Sequence, residues 1–384
     1  MHPPLNSAPL ALYLHFPWCV RKCPYCDFNS HTLRGEVPEA DYVAALLRDL
    51  DADLLSLGDQ VRPVTSAFLG GGTPSLFSGA ALQQVLDGVR ARVGFVDDAE
   101  ITLEANPGTV DEAHFAGYRA AGINRLSIGV QSFNPAHLKR LGRIHGADDA
   151  LRAMRVARAA GFDNVNLDLM FGLPDQIANE ALADLAQAVA LSPEHLSVYQ
   201  LTLEPNTEFA ARPPPLPDDD RVADMQIALQ ARLADAGYAQ YEVSAYAQSG
   251  RQSRHNLTYW AFGDYLGVGA GAHGKFTLAG QVQRRAKHKH PKTYLATAGA
   301  PSAWQENRVV PPAELPFEFA MNALRLVDGF TPMQFEHATG LPMTVLDDAL
   351  DKARAQGLIN EEGGRLRASP LGYRHLNRLM GLFL

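Results

Sequence analysis

The sequence predicts an α/β fold: a partial, three-quarter parallel (β/α)6 barrel of the TIM type, followed by a smaller C-terminal α+β module of winged-helix-like pattern. Three observations lead there. From residue 11 to about 245, short apolar or β-branched runs alternate with longer runs of helical period, as βα units around a parallel sheet do. Polar residues recur where six successive strands end, the face on which such barrels carry their reactive groups. From residue 314 onward, three helical stretches precede two short extended runs and a last helix.

The expected strands are 12–16, 67–69, 101–104, 126–130, 165–170 and 196–203, and the helices that follow them are 41–57, 80–93, 111–121, 148–160, 180–191 and 219–236. Gly122, Gly161 and Gly237 stand where three of these helices must stop, as left-handed caps. The strands run in turn into three cysteines, Gly70-Gly71-Gly72-Thr73-Pro74, Glu104-Ala105-Asn106, Gln131-Ser132-Phe133, Asp168 with Gly172, and Tyr199-Gln200. Residues 238–247 alternate like one further strand, 256–274 are rich in glycine and aromatics, and Pro301, Pro311 and Pro312 bracket a linker. The C-terminal helical patterns cover about 314–328, 332–339 and 343–356, and the extended runs 358–360 and 365–368. No basic recognition helix is present there, so the module reads as a packing or partner domain. The division expected is 1–250 for the barrel, 251–312 for a linking segment and 313–384 for the module.

Composition narrows the function classes. A chain of 384 residues, 46% apolar and 20% charged, is a globular protein of one large and one smaller domain. It has no apolar run of the ~18 residues a membrane span needs, and residues 1–11 lack a signal core. All three cysteines fall in one octet, which fits a reducing compartment, and a cytoplasmic location is expected. The net charge of −8 gives no general attraction to nucleic acid. Residues 284–292 are locally basic, which reads either as a solvated edge or as a contact for a partner or an anionic group such as a propionate.

Cys19, Cys23 and Cys26 form C-x-x-x-C-x-x-C on a loop marked by Pro17 and Pro24. Three thiolates can hold three corners of a [4Fe–4S] cluster and leave the fourth iron open. Zinc, with His15, Asp27 or His31 as fourth ligand, is the alternative.

Tyr13, His15-Phe16-Pro17-Trp18-Cys19, Cys23-Pro24-Tyr25-Cys26 and the glycine run 70–72 with Thr73-Pro74 together resemble the radical S-adenosylmethionine superfamily. Within it the chain is similar, over nearly its full length, to the branch of oxygen-independent coproporphyrinogen III oxidase and its haem-chaperone relatives. The resemblance implies a radical SAM barrel whose cluster, held by the three cysteines, cleaves S-adenosylmethionine to a 5′-deoxyadenosyl radical. Tyr13, Tyr25, Gly71, Gly72, Thr73 and Glu104 match positions that bind the cofactor. Gln131, Arg143 and Asp168 match positions around a second cofactor molecule in the oxidase. The glycines would let backbone approach the methionine moiety, and Glu104 would accept from its ammonium.

Two features separate the subfamilies. Where the oxidase has a further cysteine, two places after the third cluster ligand, this chain has Phe28. His255-Asn256-Leu257-Thr258-Tyr259-Trp260 looks like the H-N-x-x-Y-W motif of the haem chaperones, with an imidazole to ligate iron and two flat rings for a porphyrin. Haem attachment through thiols is closed off because the cluster takes all three. His273, His288 and His290 are secondary candidates for haem contacts. The expected function is that of a haem chaperone binding a [4Fe–4S] cluster, S-adenosylmethionine and haem. Its implied partners are a haem-accepting apo-protein, with membrane-associated respiratory proteins among the acceptors, and an electron donor such as flavodoxin or ferredoxin. Coproporphyrinogen III dehydrogenase and anaerobic haem degradation are the alternative activities.

Overall fold

Apolar residues on alternate positions of six short runs dictate the centre of the molecule. A computed structural model describes residues 9–384, so the reading of the first eleven residues falls mostly outside the described residues. The strands are β1 Leu10–Phe16, β2 Val64–Gly71, β3 Phe95–Ala105, β4 Arg125–Gln131, β5 Val165–Phe171 and β6 His195–Gln200. They lie side by side in that order, all parallel. Helices α1 Glu39–Leu57, α2 Gly79–Arg92, α3 Glu112–Ala121, α4 Ala147–Ala159, α5 Ala178–Ala190 and α6 Asp219–Asp235 follow them in turn. Leu12, Leu14, Leu126, Ile128, Val165 and Leu167 are buried in the main apolar core with these helices. By the two-residue period, Tyr13, His15, Glu104, Ser127, Asp168 and Tyr199 share the other face. The barrel interior is therefore polar.

Local chemistry fixes the helix ends. The Asp111 side chain accepts from the His114 N–H at 3.0 Å and Asp218 from the Arg221 N–H at 2.9 Å. Gly122, Gly161 and Gly237 take the left-handed conformation expected of them, with φ of 101°, 86° and 85°.

Beyond the six parallel strands the sheet grows at both edges to twelve. Next to β6 lies the antiparallel pair β7 Ala239–Gln240 and β8 Ala245–Ala247, where one continuous strand was expected. Glu242 breaks the run by accepting from the Ser244 N–H at 3.2 Å. Then α7, Arg254–Trp260, turns the His-Asn-x-x-Tyr-Trp motif into a helix capped by Ser253, whose hydroxyl accepts from the Asn256 N–H at 3.3 Å. On the far edge, β9 Asp264–Val268 pairs parallel with β1 and is followed by β10 His273–Leu278 and β11 Gln281–Lys287. After α8, Pro291–Thr297, comes β12 Trp304–Val309. The proline-bracketed linker is thus partly strand, because its prolines lie outside the ladder.

The basic stretch divides: Lys289, His290 and Lys292 are exposed, as a solvated edge would have them, but its middle departs from both sequence readings. Arg285 and Lys287 are buried. Lys287 pairs with Asp49 and, at 2.9 Å, with Asp53 of α1, while Arg285 reaches Asp53 at 3.0 Å. Helices α9 Leu315–Ala323, α10 Pro332–Thr339 and α11 Asp347–Ala355 precede the antiparallel hairpin of β13 Ile359–Glu362 and β14 Arg365–Ala368. Phe319, Phe330, Phe335, Leu350 and Phe383 form a second apolar core that also takes in Phe262 and Val282. Among the described residues no helix is long and apolar enough to cross a membrane.

Candidate cofactor site

Strand ends β1 to β6 meet around a cavity of about 340 Å3. Cys19, Cys23 and Cys26 stand on its wall together with Tyr25, Gly71, Gly72, Thr73, Glu104, Gln131, Arg143 and Asp168. Tyr13 does not line it. That ring lies one layer below, with its hydroxyl 2.9 Å from His15 Nδ1.

The thiols are half-buried. Burial, then the neighbouring sulfurs, pushes the Cys19 thiol up, and burial also raises Cys26. Donors are already aimed at the sulfurs. Arg143 Nη1 lies 3.8 Å from Cys23 Sγ and Ser30 Oγ 3.8 Å from Cys26 Sγ, the outer-shell support that anionic sulfur needs. Among the described residues no three His, Cys, Asp or Glu side chains are arranged around one metal ion. Three thiols ringing one cavity fit a cluster, in which each sulfur bonds a different iron. The zinc alternative loses His15 as a ligand, because Tyr13 and the Asn29 carbonyl engage both of its ring nitrogens.

The glycine loop is sewn to the backbone that carries Cys19. Gly72 N–H donates to Phe16 O at 2.7 Å and Thr73 N–H to Trp18 O at 2.8 Å. Gly71 has φ 114°, and its N–H donates to Glu104 Oε2 at 2.9 Å. These backbone donors are therefore spent inside the protein, so the loop has acceptors rather than donors left for a ligand. Burial, reinforced by Asp168, lifts the Glu104 carboxyl to about 8 against the opposing Gly71 N–H. Asp168 is likewise raised by burial, although Asn166, Ser197 and Ser127 oppose the shift. Arg143 Nη2 donates to Gly129 O at 2.8 Å. Gln131 sits at a register break opposite β5 with φ 71°, and its amide oxygen accepts from Tyr199 OH at 2.7 Å. A non-glycine residue held there costs on the order of 1 kcal/mol, the kind of strain found at sites.

Some polar residues at strand ends serve the fold instead. Ser132 Oγ and the Phe133 N–H both donate to Asp184, at 2.6 and 2.8 Å. Conversely, motif reading missed the floor: Asn166 Nδ2 donates to Asp168 Oδ1 at 2.7 Å and Ser127 Oγ to Asp168 Oδ2 at 3.2 Å. Two-residue alternation back from Gln131 and Asp168 would have found both. Phe28 is 57% exposed at the cavity mouth.

The haem motif is not presented to an outside ligand. His255 is 3% exposed, and its ring lies stacked on Phe68 at 5.2 Å and near Tyr259 at 4.9 Å. Burial lowers its pKa to about 3, so the imidazole is neutral. Tyr259 packs on Tyr265 at 4.0 Å and the Arg325 guanidinium covers Trp260 at 4.6 Å. The two flat faces expected for a porphyrin are occupied. Asn256 is half-buried on the same helix. The secondary histidines stand elsewhere: His273 is exposed, His288 Nε2 meets Ser302 O at 2.9 Å, and His290 caps α8 through Lys292 N–H at 3.2 Å.

Comparison with known proteins agrees with this architecture. The Radical SAM superfamily profile matches residues 13–187 and the HemN C-terminal domain profile residues 310–375. Heme chaperone HemW of Escherichia coli (strain K12) is 53% identical over 377 residues, 98% of each chain. Heme chaperone HemW of Haemophilus influenzae is 50% identical over 379 residues, again 98% of each. The solved coproporphyrinogen III oxidase (HemN) of Escherichia coli, described as a radical SAM enzyme, matches with a TM-score of 0.82 over 98% of this chain and 90% of that one. Its 23% identity makes that a likeness of fold. With sequence identity sustained from end to end, the chain belongs to the radical SAM superfamily and, within it, to the family of the proteins named heme chaperone HemW.

Proposed function

We propose that the chain is a haem chaperone that takes up haem and delivers it to a haem-accepting apo-protein. The observation that carries this reading is the 53% identity over 98% of the length to a protein named heme chaperone. Phe28 at the cavity mouth supports it, since the decarboxylating relatives have a thiol there. We assign the cluster to Cys19, Cys23 and Cys26, and S-adenosylmethionine to Tyr25, Gly71, Gly72, Thr73, Glu104, Gln131, Arg143 and Asp168, with Tyr13 as support from below. When bound, the cluster would supply the electron that splits the sulfonium bond of S-adenosylmethionine. Arg143 and Ser30 would hold the sulfurs, and Glu104 would orient the amino group. We assign haem to His255, Asn256, Tyr259 and Trp260, a contact that requires α7 to leave its present packing. An electron donor such as flavodoxin or ferredoxin, a cytoplasmic setting, respiratory acceptors at the membrane, and residues 313–384 as the acceptor-facing module complete the proposal. Anaerobic haem titration of cluster-loaded protein, followed by transfer to an apo-haem protein, tests it; absence of saturable binding defeats it.

The intact constellation of Glu104, Gln131, Arg143 and Asp168 around one cavity favours a second reading, coproporphyrinogen III dehydrogenase. Anaerobic turnover of coproporphyrinogen III with consumption of S-adenosylmethionine decides between the two.

A further inference from the structure

Helix α7 closes the end of the barrel opposite the cavity. The Glu100 carboxylate on β3 accepts from the N–H groups of Arg254 and His255, at 3.1 and 3.2 Å, and from Ser253 Oγ at 3.3 Å. Arg254 is further tied to Asp98 by an ion pair at 2.5 Å. From this fixed end the His255 ring enters the barrel, where it stacks on Phe68 and lies 6.4 Å from the ring of Tyr13, itself stacked on Phe68 at 6.3 Å. His255 Nδ1 is 3.4 Å from Ser66 Oγ, and the buried Nε2 has no hydrogen-bond partner.

The contacts continue upward without a gap. Tyr13 OH lies 2.9 Å from His15 Nδ1, and His15 Nε2 lies 2.8 Å from Asn29 O. A carbonyl only accepts, so Nε2 carries the proton and Nδ1 accepts from the tyrosine. Asn29 stands three residues after Cys26, and its amide holds Ala270 O and Lys289 O, both at 2.8 Å. The His15 ring also supports the glycine loop, because a Cβ on Gly71 would meet it at 2.4 Å. One column of side chains thus joins the haem motif to both loops that border the cavity.

We propose that His255, Tyr13 and His15 are positioning residues that set the cluster loop and the glycine loop from the barrel floor, so that His255 cannot serve haem and the cofactor site at the same time. Its orphaned Nε2 carries an unrelieved desolvation cost in the floor, which ligation of iron outside the floor would relieve. Two competing positions for one side chain make haem and S-adenosylmethionine antagonists, and linkage makes the antagonism reciprocal. The haem half of this statement rests on the haem-chaperone reading; the positioning half does not.

Three variants of the full-length, cluster-loaded chain test it. His255→Phe keeps a ring on Phe68 and Tyr13 but cannot ligate, His255→Ala removes both, and Tyr13→Phe removes only the hydroxyl. We expect His255→Ala and Tyr13→Phe to weaken S-adenosylmethionine binding at least five-fold and to diminish the change that S-adenosylmethionine causes in the electron paramagnetic resonance of the reduced cluster. His255→Phe should stay within two-fold of wild type in both readouts while losing haem. In the wild type, saturating S-adenosylmethionine should weaken haem binding at least five-fold. Wild-type affinity and spectrum in Tyr13→Phe overturn the positioning claim, even if His255→Ala fails to fold, and equal damage in His255→Phe and His255→Ala overturns it as well. Haem affinity indifferent to S-adenosylmethionine overturns the antagonism. A wild type that binds no haem defeats the haem-chaperone reading and the antagonism, and the positioning claim then stands or falls on affinity and spectrum.

Discussion

Replacing Gly72 by alanine tests whether the glycine loop and the cysteine loop form one unit. The added Cβ would lie 2.6 Å from Trp18 O, 2.9 Å from Phe16 O and 3.0 Å from the Pro17 carbonyl carbon. All three are backbone atoms, so no side-chain rotation relieves the contact. The bonds from Gly72 N–H to Phe16 O and from Thr73 N–H to Trp18 O must lengthen or break. Two hydrogen bonds at about 0.5–1.5 kcal/mol each, with overpacking of about 1–3 kcal/mol, give a loss of about 2–6 kcal/mol. Gly237→Ala is the control: its φ is 85° with nothing within 4 Å of the added atom, so it carries only the left-handed penalty of about 1–2 kcal/mol. The assay pairs urea unfolding with iron and sulfide per chain after anaerobic reconstitution. Gly72→Ala should lose both stability and iron, while Gly237→Ala should lose a little stability and no iron. A Gly72→Ala protein with full iron and wild-type stability would refute the coupling of the two loops.

Other expectations come from single side chains. Glu104→Gln should be at least as stable as the wild type at pH 7, because folding must protonate a carboxyl that burial lifts to about 8, a cost the neutral amide avoids while its oxygen can still accept from Gly71. Its affinity for S-adenosylmethionine should nevertheless fall by calorimetry, because the cofactor's ammonium would draw the carboxyl into its ionised form and gain a charge-assisted bond of about 1.5–3 kcal/mol that the neutral amide cannot match. Lys287→Met leaves the buried Asp49 without its cation, while Asp53 keeps Arg285, and should cost about 3–5 kcal/mol in urea unfolding. Burial lowers His255 to about 3, and His15 and His145 to about 4. The unfolded chain therefore binds more protons below the ordinary value of 6.5, and stability should decline as the pH falls from 6.5 toward 4. Each histidine contributes roughly 2 kcal/mol by pH 5, and His255→Phe should shallow that decline.

Much of this architecture was legible because barrels obey two strong rules. Alternating apolar runs such as 165–170 and the stop glycines at 122, 161 and 237 depend only on local chain physics. All six βα units and the residues at their ends follow from them, and eleven of the twelve cluster and cofactor positions named from sequence line the cavity. Tyr13 escaped because its sequence neighbourhood does not reveal the layer to which its ring belongs. Segment 264–309 was opaque for a different reason. Its strands complete a sheet begun some 250 residues earlier, with Leu10 opposite Asp264, and no local period reports such pairing. The burial of Arg285 and Lys287 depends on Asp49 and Asp53, partners more than two hundred residues away. The motif at 255–260 gave its residue types correctly but not its depth, since helix α7 places His255 inside the barrel.

Haem binding by the cluster-loaded chain is the most direct test of the central claim. Anaerobic titration of the wild type and of His255→Ala, with coproporphyrinogen III turnover assayed in the same samples, should give saturable haem binding that the substitution abolishes, passage of haem to an apo-acceptor, and no porphyrin product. Decarboxylated porphyrin without haem binding would contradict the account and make this chain an enzyme of haem synthesis.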